Sequence, residues 1–162
     1  MDTGNEDMSR EKYHAFIDAL CHAYAVEDPA AMYETCNLRI GPVSFTLRHA
    51  GDDDPDGLLV YADYGEPPQS TQEHILLQLM QLNFFMLDEN LSCFGLDGQS
   101  GHVILMKRFA LSEISIEFLM SKLGEIMTYI LQTSESLYTA NSTFSPSAAG
   151  AFRQAAQGNA NV

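Results

Sequence analysis

The pattern between residues 35 and 64 constrains the fold most. In Thr35–Ile40 and again in Val43–Leu47, apolar and polar residues alternate, and Gly41-Pro42 separates the two segments. Alternation with a period of two predicts antiparallel strands that bury one face and expose the other. Leu58–Tyr64 follows as a third strand, but its first five residues are all apolar. Both faces of this strand therefore need cover, and a single layer of helices on one side of the sheet supplies only half of it.

Three segments with helical periodicity accompany the strands. The first is predicted to begin at Ser9 and to bury an apolar stripe that ends near Tyr24. The second follows Pro67-Pro68 and is apolar over most of its circumference, which predicts a central or interfacial helix. The third is predicted to start after Ser115, whose hydroxyl can cap it.

A predicted hairpin, Ser92–Leu96 and His102–Phe109, separates the last two helices, with glycines in its loop. The order is then α-β-β-β-α-β-β-α, which predicts an α+β fold with a twisted antiparallel sheet packed against helices. We expect one domain at 1–138. Residues 139–162 consist mainly of Ala, Ser, Asn, Gly and Gln and are predicted to form a flexible tail.

Charge and cysteine content exclude several classes of function. The 162 residues include 22 acidic and 8 basic side chains, a net charge of −14. Such a surface repels nucleic acid and anionic lipid, so neither is an expected partner. No apolar run is long enough to span a bilayer, and the start of the chain lacks the pattern of a secretory signal. The three cysteines form no C-x-x-C pair, which fits a reducing cytosol.

One acidic loop approaches a metal-binding pattern. Asp52, Asp54, Asp56 and Gly57, with Asp63 six residues later, nearly match the spacing of a calcium loop. The flanking segments are predicted strands, whereas that motif requires helices. The five histidines have no ligand spacing, and no catalytic motif is present, so we expect neither an enzyme nor a cofactor.

The stretch from Leu76 to Leu111 carries a resemblance to a known family. It reads LLQLMQLNFFMLDENLSCFGLDGQSGHVILMKRFAL, with a helix that ends in L-N-F, then F-G-L-D, a glycine turn, V-I-L-M and F-A-L. This stretch resembles the core of the CesT-like, class I type III secretion chaperones. The element order, small size and acidity are similar to that family as well, over roughly residues 9–138.

The resemblance implies a homodimer in the bacterial cytoplasm that binds the N-terminal segment of a secreted effector and keeps it soluble and competent for secretion, without hydrolysing ATP. The secretion ATPase is a further implied partner. We expect the effector to contact apolar residues of the first three strands: Leu38, Ile40, Phe45, Leu47, Leu59 and Tyr61. For the dimer interface, the family's use of the middle helix and its neighbouring strands nominates Leu82, Phe85, Met86 and Phe94.

Two alternatives remain open at the level of sequence. A regulator of the same fold would sequester a regulatory protein instead of an effector. A calcium-binding module would use the loop from Asp52 to Asp63.

Overall fold

The computed structural model of the chain describes residues 3–86 and 92–138. Three helices and five strands follow one another along the chain, with a short 3-10 helix at Pro29–Met32. The elements are α1 (Thr3–Ala23), β1 (Cys36–Ile40), β2 (Val43–His49), β3 (Gly57–Asp63), α2 (Gln72–Met86), β4 (Ser92–Leu96), β5 (Val103–Ala110) and α3 (Ile116–Tyr138).

The five strands form one antiparallel sheet in the order β1-β2-β3-β5-β4. At the β1–β2 turn, Ile40 lies opposite Val43, and Gly41 takes a positive φ of 57° that favours glycine. A side chain at Gly41 would also collide with the sulfur of Met127 on α3. The turn therefore favours glycine for its backbone, and a larger residue would also require the flexible side chain of Met127 to move.

The sheet has one face turned toward the hydrophobic core, which we call the inner face. Alternate residues of the central strands, such as Leu47, Val60 and Leu105, are buried there. Helices α1 and α3 contribute to the same core with residues such as Ile17 and Leu123. The burial alternates along β2, β3 and β5 as expected for a sheet that is covered by helices on one side.

The predicted fold class and element order are confirmed. Ser115 caps α3 as expected, since its hydroxyl accepts from the N–H of Phe118 at 3.1 Å. The predicted start of α1 is wrong: the helix extends back to Thr3, so Ser9 lies within it. The predicted tail, 139–162, lies outside the described residues, and the division of the chain at residue 138 stays a prediction.

One side chain of helix α2 makes hydrogen bonds to the unpaired edge of strand β4. The amide of Asn83 donates to the carbonyl oxygen of Phe94 at 2.9 Å and accepts from the N–H of Phe94 at 2.6 Å. These are the two hydrogen bonds that a neighbouring strand would make at this residue. Asn83 is the asparagine of the L-N-F sequence, so the motif has a structural role: it satisfies backbone groups that the sheet leaves open.

Replacement of Asn83 by alanine is expected to lower the free energy of unfolding by about 2–4 kcal/mol, because both backbone groups of the buried Phe94 lose their partner. Urea denaturation followed by circular dichroism measures the change. Asn37→Ala is the matched control: Asn37 lies on the exposed surface, where its side chain accepts from the Thr46 hydroxyl. Equal stabilities of the two variants would contradict the role of Asn83.

Candidate protein-binding surfaces

The second face of the sheet, its outer face, has no helix packed on it in the described part of the chain. Leu59 and Tyr61 of β3 point to this side, opposite Arg108 and Met106 of β5. All four are only half-buried. Both faces of the third strand carry apolar side chains, and the described part of the chain leaves the outer face incompletely covered.

A groove of about 630 Å³, the sheet groove, crosses the outer face diagonally. Its floor is apolar, with Tyr61 on β3 and Ile104 and Met106 on β5. Arg48 on β2 lies toward one end, and Asp97 on the β4–β5 turn lies at the other. A surface with an apolar floor and opposite charges near its ends suits an extended peptide better than a compact small molecule.

Asp97 is held in place by its own turn. Its carboxylate accepts from the N–H of Gln99 at 3.1 Å and from the hydroxyl of Ser100 at 2.6 Å. These hydrogen bonds, the one from Ser100 above all, hold the pKa of Asp97 below its usual range. The groove therefore keeps a fixed negative charge at this end at neutral pH.

A second surface lies on α2. Leu77, Met80 and Phe84 follow the spacing i, i+3, i+7 and expose 61%, 69% and 76% of their surface. We call these three residues the α2 stripe. One exposed leucine is ordinary, but three large apolar residues on one helical face form a patch of the kind that marks a protein interface.

The six predicted effector-binding residues fall into three groups. Leu59 and Tyr61 lie on the outer face, and Tyr61 lines the sheet groove. Leu38 and Ile40 lie on the inner face of the edge strand β1, partly buried against the core. The remaining two, Phe45 and Leu47, lie in the core.

Phe45 and Leu47 are buried, with 1% and 0% exposure, so they are core residues and offer no surface to an effector. Their alternation with polar residues identified the buried face of β2, and that face is turned toward the helices. The outward positions of the same strand that line the groove are Thr46 and Arg48. They were not predicted, because the expected effector contacts were chosen among apolar residues.

Three of the four predicted dimer residues have described side chains, and the interface itself stays a prediction. Leu82 and Phe94 are buried within the subunit, with 6% exposure each, because their face of α2 packs against the core. Met86 is partly buried against the same core, and the side chain of Phe85 lies outside the described residues. Among the described side chains of α2, the large apolar ones that are exposed are those of the α2 stripe.

The acidic loop does not assemble a cation site. Asp54 makes a bidentate ion pair with Arg108, at 2.6 and 2.7 Å, while Asp56 accepts from the N–H and the hydroxyl of Ser112. Asp52 contacts Arg10 at 3.2 Å. Across residues 3–86 and 92–138, no three acidic, histidine or cysteine side chains are grouped so that they could hold a metal ion. The loop carboxylates instead bind groups of α1, of β5 and of the segment that follows β5.

The ion pair of Asp54 makes the free energy of unfolding depend on pH. The hydrogen bond from Arg108 holds the pKa of Asp54 below its usual range. Because the folded pKa lies below the unfolded one, this carboxylate stabilises the fold above about pH 4, and the contribution is lost as the pH falls further. Asp54→Asn should cost about 1 kcal/mol or less at neutral pH, since a third of the side chain is exposed.

Thermal unfolding at several pH values tests this expectation. The difference between the native chain and Asp54→Asn should shrink toward zero below about pH 3. The exposed neighbour Asp53 supplies the control, Asp53→Asn, which should differ little from the native chain at any of these pH values. A difference that stays constant into acid would contradict the role of the ion pair.

The cysteine thiols are weakly nucleophilic. Cys21 and Cys36 are buried and Cys93 is half-buried, and none of the three is in a disulfide. Burial raises the pKa of the Cys36 thiol to about 11 and raises those of Cys21 and Cys93 as well. At neutral pH these side chains are therefore thiols rather than reactive thiolates. None of the three described helices has the length and apolarity that crossing a membrane requires.

Comparison with known proteins identifies relatives at the level of family and fold. The profile of the Tir chaperone protein (CesT) family matches residues 17–136. A chain in the crystal structure of the ExsC–ExsE complex superposes with a TM-score of 0.58 at 14% identity, over 81% of this chain and 97% of that one. A chain in the structure of the HopA1–SchA chaperone–effector complex gives 0.56 at 19% identity, over 79% and 97%. No curated protein matches the sequence.

Proposed function

The chain belongs to the Tir chaperone protein (CesT) family, and from this we propose that it is a chaperone for type III secretion that binds a segment of a secreted effector. The observation that carries the proposal is the sheet groove, which has an apolar floor and polar residues around it and crosses a sheet face that no described helix covers. The fold is also that of a chain found in a chaperone–effector complex.

The groove suits an unfolded segment of the effector. Apolar side chains of the segment would lie on Tyr61, Ile104 and Met106, and a carboxylate would face Arg48. The groove begins at Thr35, beside the edge strand β1, which has no strand on its other side among the described residues. Pairing with β1 would add backbone hydrogen bonds that do not depend on the effector's sequence. Ordering an unfolded segment costs free energy, so binding stays reversible enough for release.

The functional unit in this proposal is a homodimer. The α2 stripe places three exposed large apolar residues on one helical face, and a two-fold axis would bury the same residues of both copies against each other. The proposal places the dimer in the bacterial cytoplasm, as a binding protein rather than an enzyme, with the secretion ATPase as the partner that receives the loaded complex.

Co-purification from the bacterium that encodes the chain tests the proposal. The tagged full-length chain should retain one secreted protein through its N-terminal segment, identified by mass spectrometry, and light scattering should give two copies of the chain in the complex. A Tyr61→Glu chain, purified in parallel, separates specific capture from background. Retention of a regulatory protein that is not secreted would favour the regulator, and an empty monomer would contradict both.

A further inference from the structure

The sheet groove has a guanidinium at one end that its own subunit does not neutralise. Arg48 is exposed near the end of β2, and among residues 3–86 and 92–138 no carboxylate forms an ion pair with it. Asp54, in the acidic loop that follows β2, is paired with Arg108 instead. The positive charge of Arg48 is therefore available to a carboxylate that enters the groove.

Asp97 offers the opposite charge at the other end of the groove. Its carboxylate accepts from the N–H groups of Gln99 and Ser100 and from the Ser100 hydroxyl, which are neutral donors of its own turn. In the described ranges no lysine or arginine forms an ion pair with it. The two charges are separated by the apolar floor of the groove, so a bound segment meets a cation, then an apolar surface, then an anion.

The register of the sheet gives the distance between the two charges. Arg48 lies opposite Leu59, which lies opposite Arg108 on β5. The N–H of Asp97 donates to the carbonyl oxygen of His102, so Asp97 lies at the level of residue 102. From β2 to β4 there are three strand spacings, and from residue 108 to residue 102 there are six residues. These steps place the two α-carbons about 25 Å apart, which an extended segment covers with about seven residues.

The charge of the whole chain does not select a segment by its pattern. With 22 acidic and 8 basic residues, the protein attracts any basic segment at long range. Arg48 acts against this attraction inside the groove, because it repels a basic side chain and attracts an acidic one. Two segments of equal net charge are therefore distinguished by where their charges lie.

We propose that the sheet groove selects extended segments that carry one acidic and one basic side chain about seven residues apart, with apolar side chains at alternate positions between them. The acidic side chain pairs with Arg48 and the basic one with Asp97. This inference rests on the proposed function and adds to it the class of segment that the groove accepts. The spacing and the signs of the charges define this class, so a segment can meet it in either chain direction.

Two synthetic peptides of identical composition test the inference on the full-length chain. Both contain one glutamate, one lysine and alternating leucine and serine. In the first peptide the two charges lie about seven residues apart, and in the second they are adjacent. Fluorescence anisotropy at low ionic strength should show about threefold to tenfold tighter binding of the first peptide, as expected for exposed ion pairs. Equal affinities, or no binding of either peptide, would overturn the inference.

Arg48→Glu tests whether the groove makes this distinction. In this variant the preference for the first peptide should disappear, and a version of that peptide with lysine in place of glutamate should bind more tightly than the original. Asp97 is left unchanged, because it also accepts hydrogen bonds within its turn.

Arg39→Glu is the matched control, because it changes the net charge equally. Arg39 is exposed on the same face of the sheet, opposite Ser44, and does not line the groove. This variant should keep the preference of the native chain for the first peptide. An equal loss of preference in both variants, or an unchanged preference in Arg48→Glu, would overturn the inference. These measurements contain no effector, so their failure is distinct from a failure of effector capture.

Discussion

Met80→Glu should convert the proposed dimer into monomers at micromolar concentration. Met80 lies in the middle of the α2 stripe with 69% of its surface exposed in the subunit, so the glutamate is tolerated by the folded monomer. In a two-fold interface, however, two carboxylates would be buried close to each other without partners. We expect a dissociation constant at least about thirtyfold higher, which corresponds to about 2 kcal/mol for a central interface residue. Light scattering coupled to gel filtration measures the mass.

Leu131→Glu is the control for this prediction. Leu131 is also a large apolar residue on a helix surface, with 51% exposure, but it lies on α3. This variant should remain dimeric, and both variants should keep the melting temperature of a folded subunit. Dissociation by Leu131→Glu with an intact Met80→Glu dimer would place the interface elsewhere.

Tyr61→Glu should lower the affinity for the effector segment at least about tenfold, because the change removes an aromatic surface and puts a charge on the apolar floor of the sheet groove. The residue is half-buried on the outer face, so the fold is expected to survive. The affinity is measured by calorimetry with the effector's N-terminal segment, once co-purification has identified it.

Ser44→Glu provides a charge on the same face of the sheet outside the groove, where Ser44 is exposed opposite Arg39. Its affinity should stay close to that of the native chain. If Ser44→Glu and Tyr61→Glu weaken binding equally, the effect comes from overall charge, and the groove is not the binding site. If neither weakens binding, the effector is held by another surface.

The fold could be predicted because its signals are local. Alternation marked β1 and β2, glycine turns marked the hairpins, and a serine marked the start of α3. The start of α1 could not be placed in this way, because Met8 is the one large apolar residue among residues 3–9 and helical periodicity is visible only where apolar residues repeat. The pairing of Asn83 with Phe94 joins residues of a helix and a strand, so no local pattern reports it.

The binding surfaces were harder to predict because α2 carries two apolar stripes. Ile75, Leu79 and Leu82 repeat with helical spacing, and so do Leu77, Met80 and Phe84. Periodicity shows that both faces are apolar, but only the packing of α2 against β4 decides which stripe is buried. The same limit applies to β2, where an apolar side chain indicates a buried face and therefore points away from a surface that binds a partner.

The amide of Asn83 also determines in which direction the sheet can grow. A sheet with two open edges accepts strands on both sides, and copies of it can join edge to edge into fibrils. Here a side chain occupies the β4 edge at Phe94, which leaves β1 as the open edge among the described strands. A strand added at β1 extends the sheet on that side only, because the amide of Asn83 occupies the opposite edge at Phe94. The fold can thus accept a foreign strand without becoming a template for polymerisation.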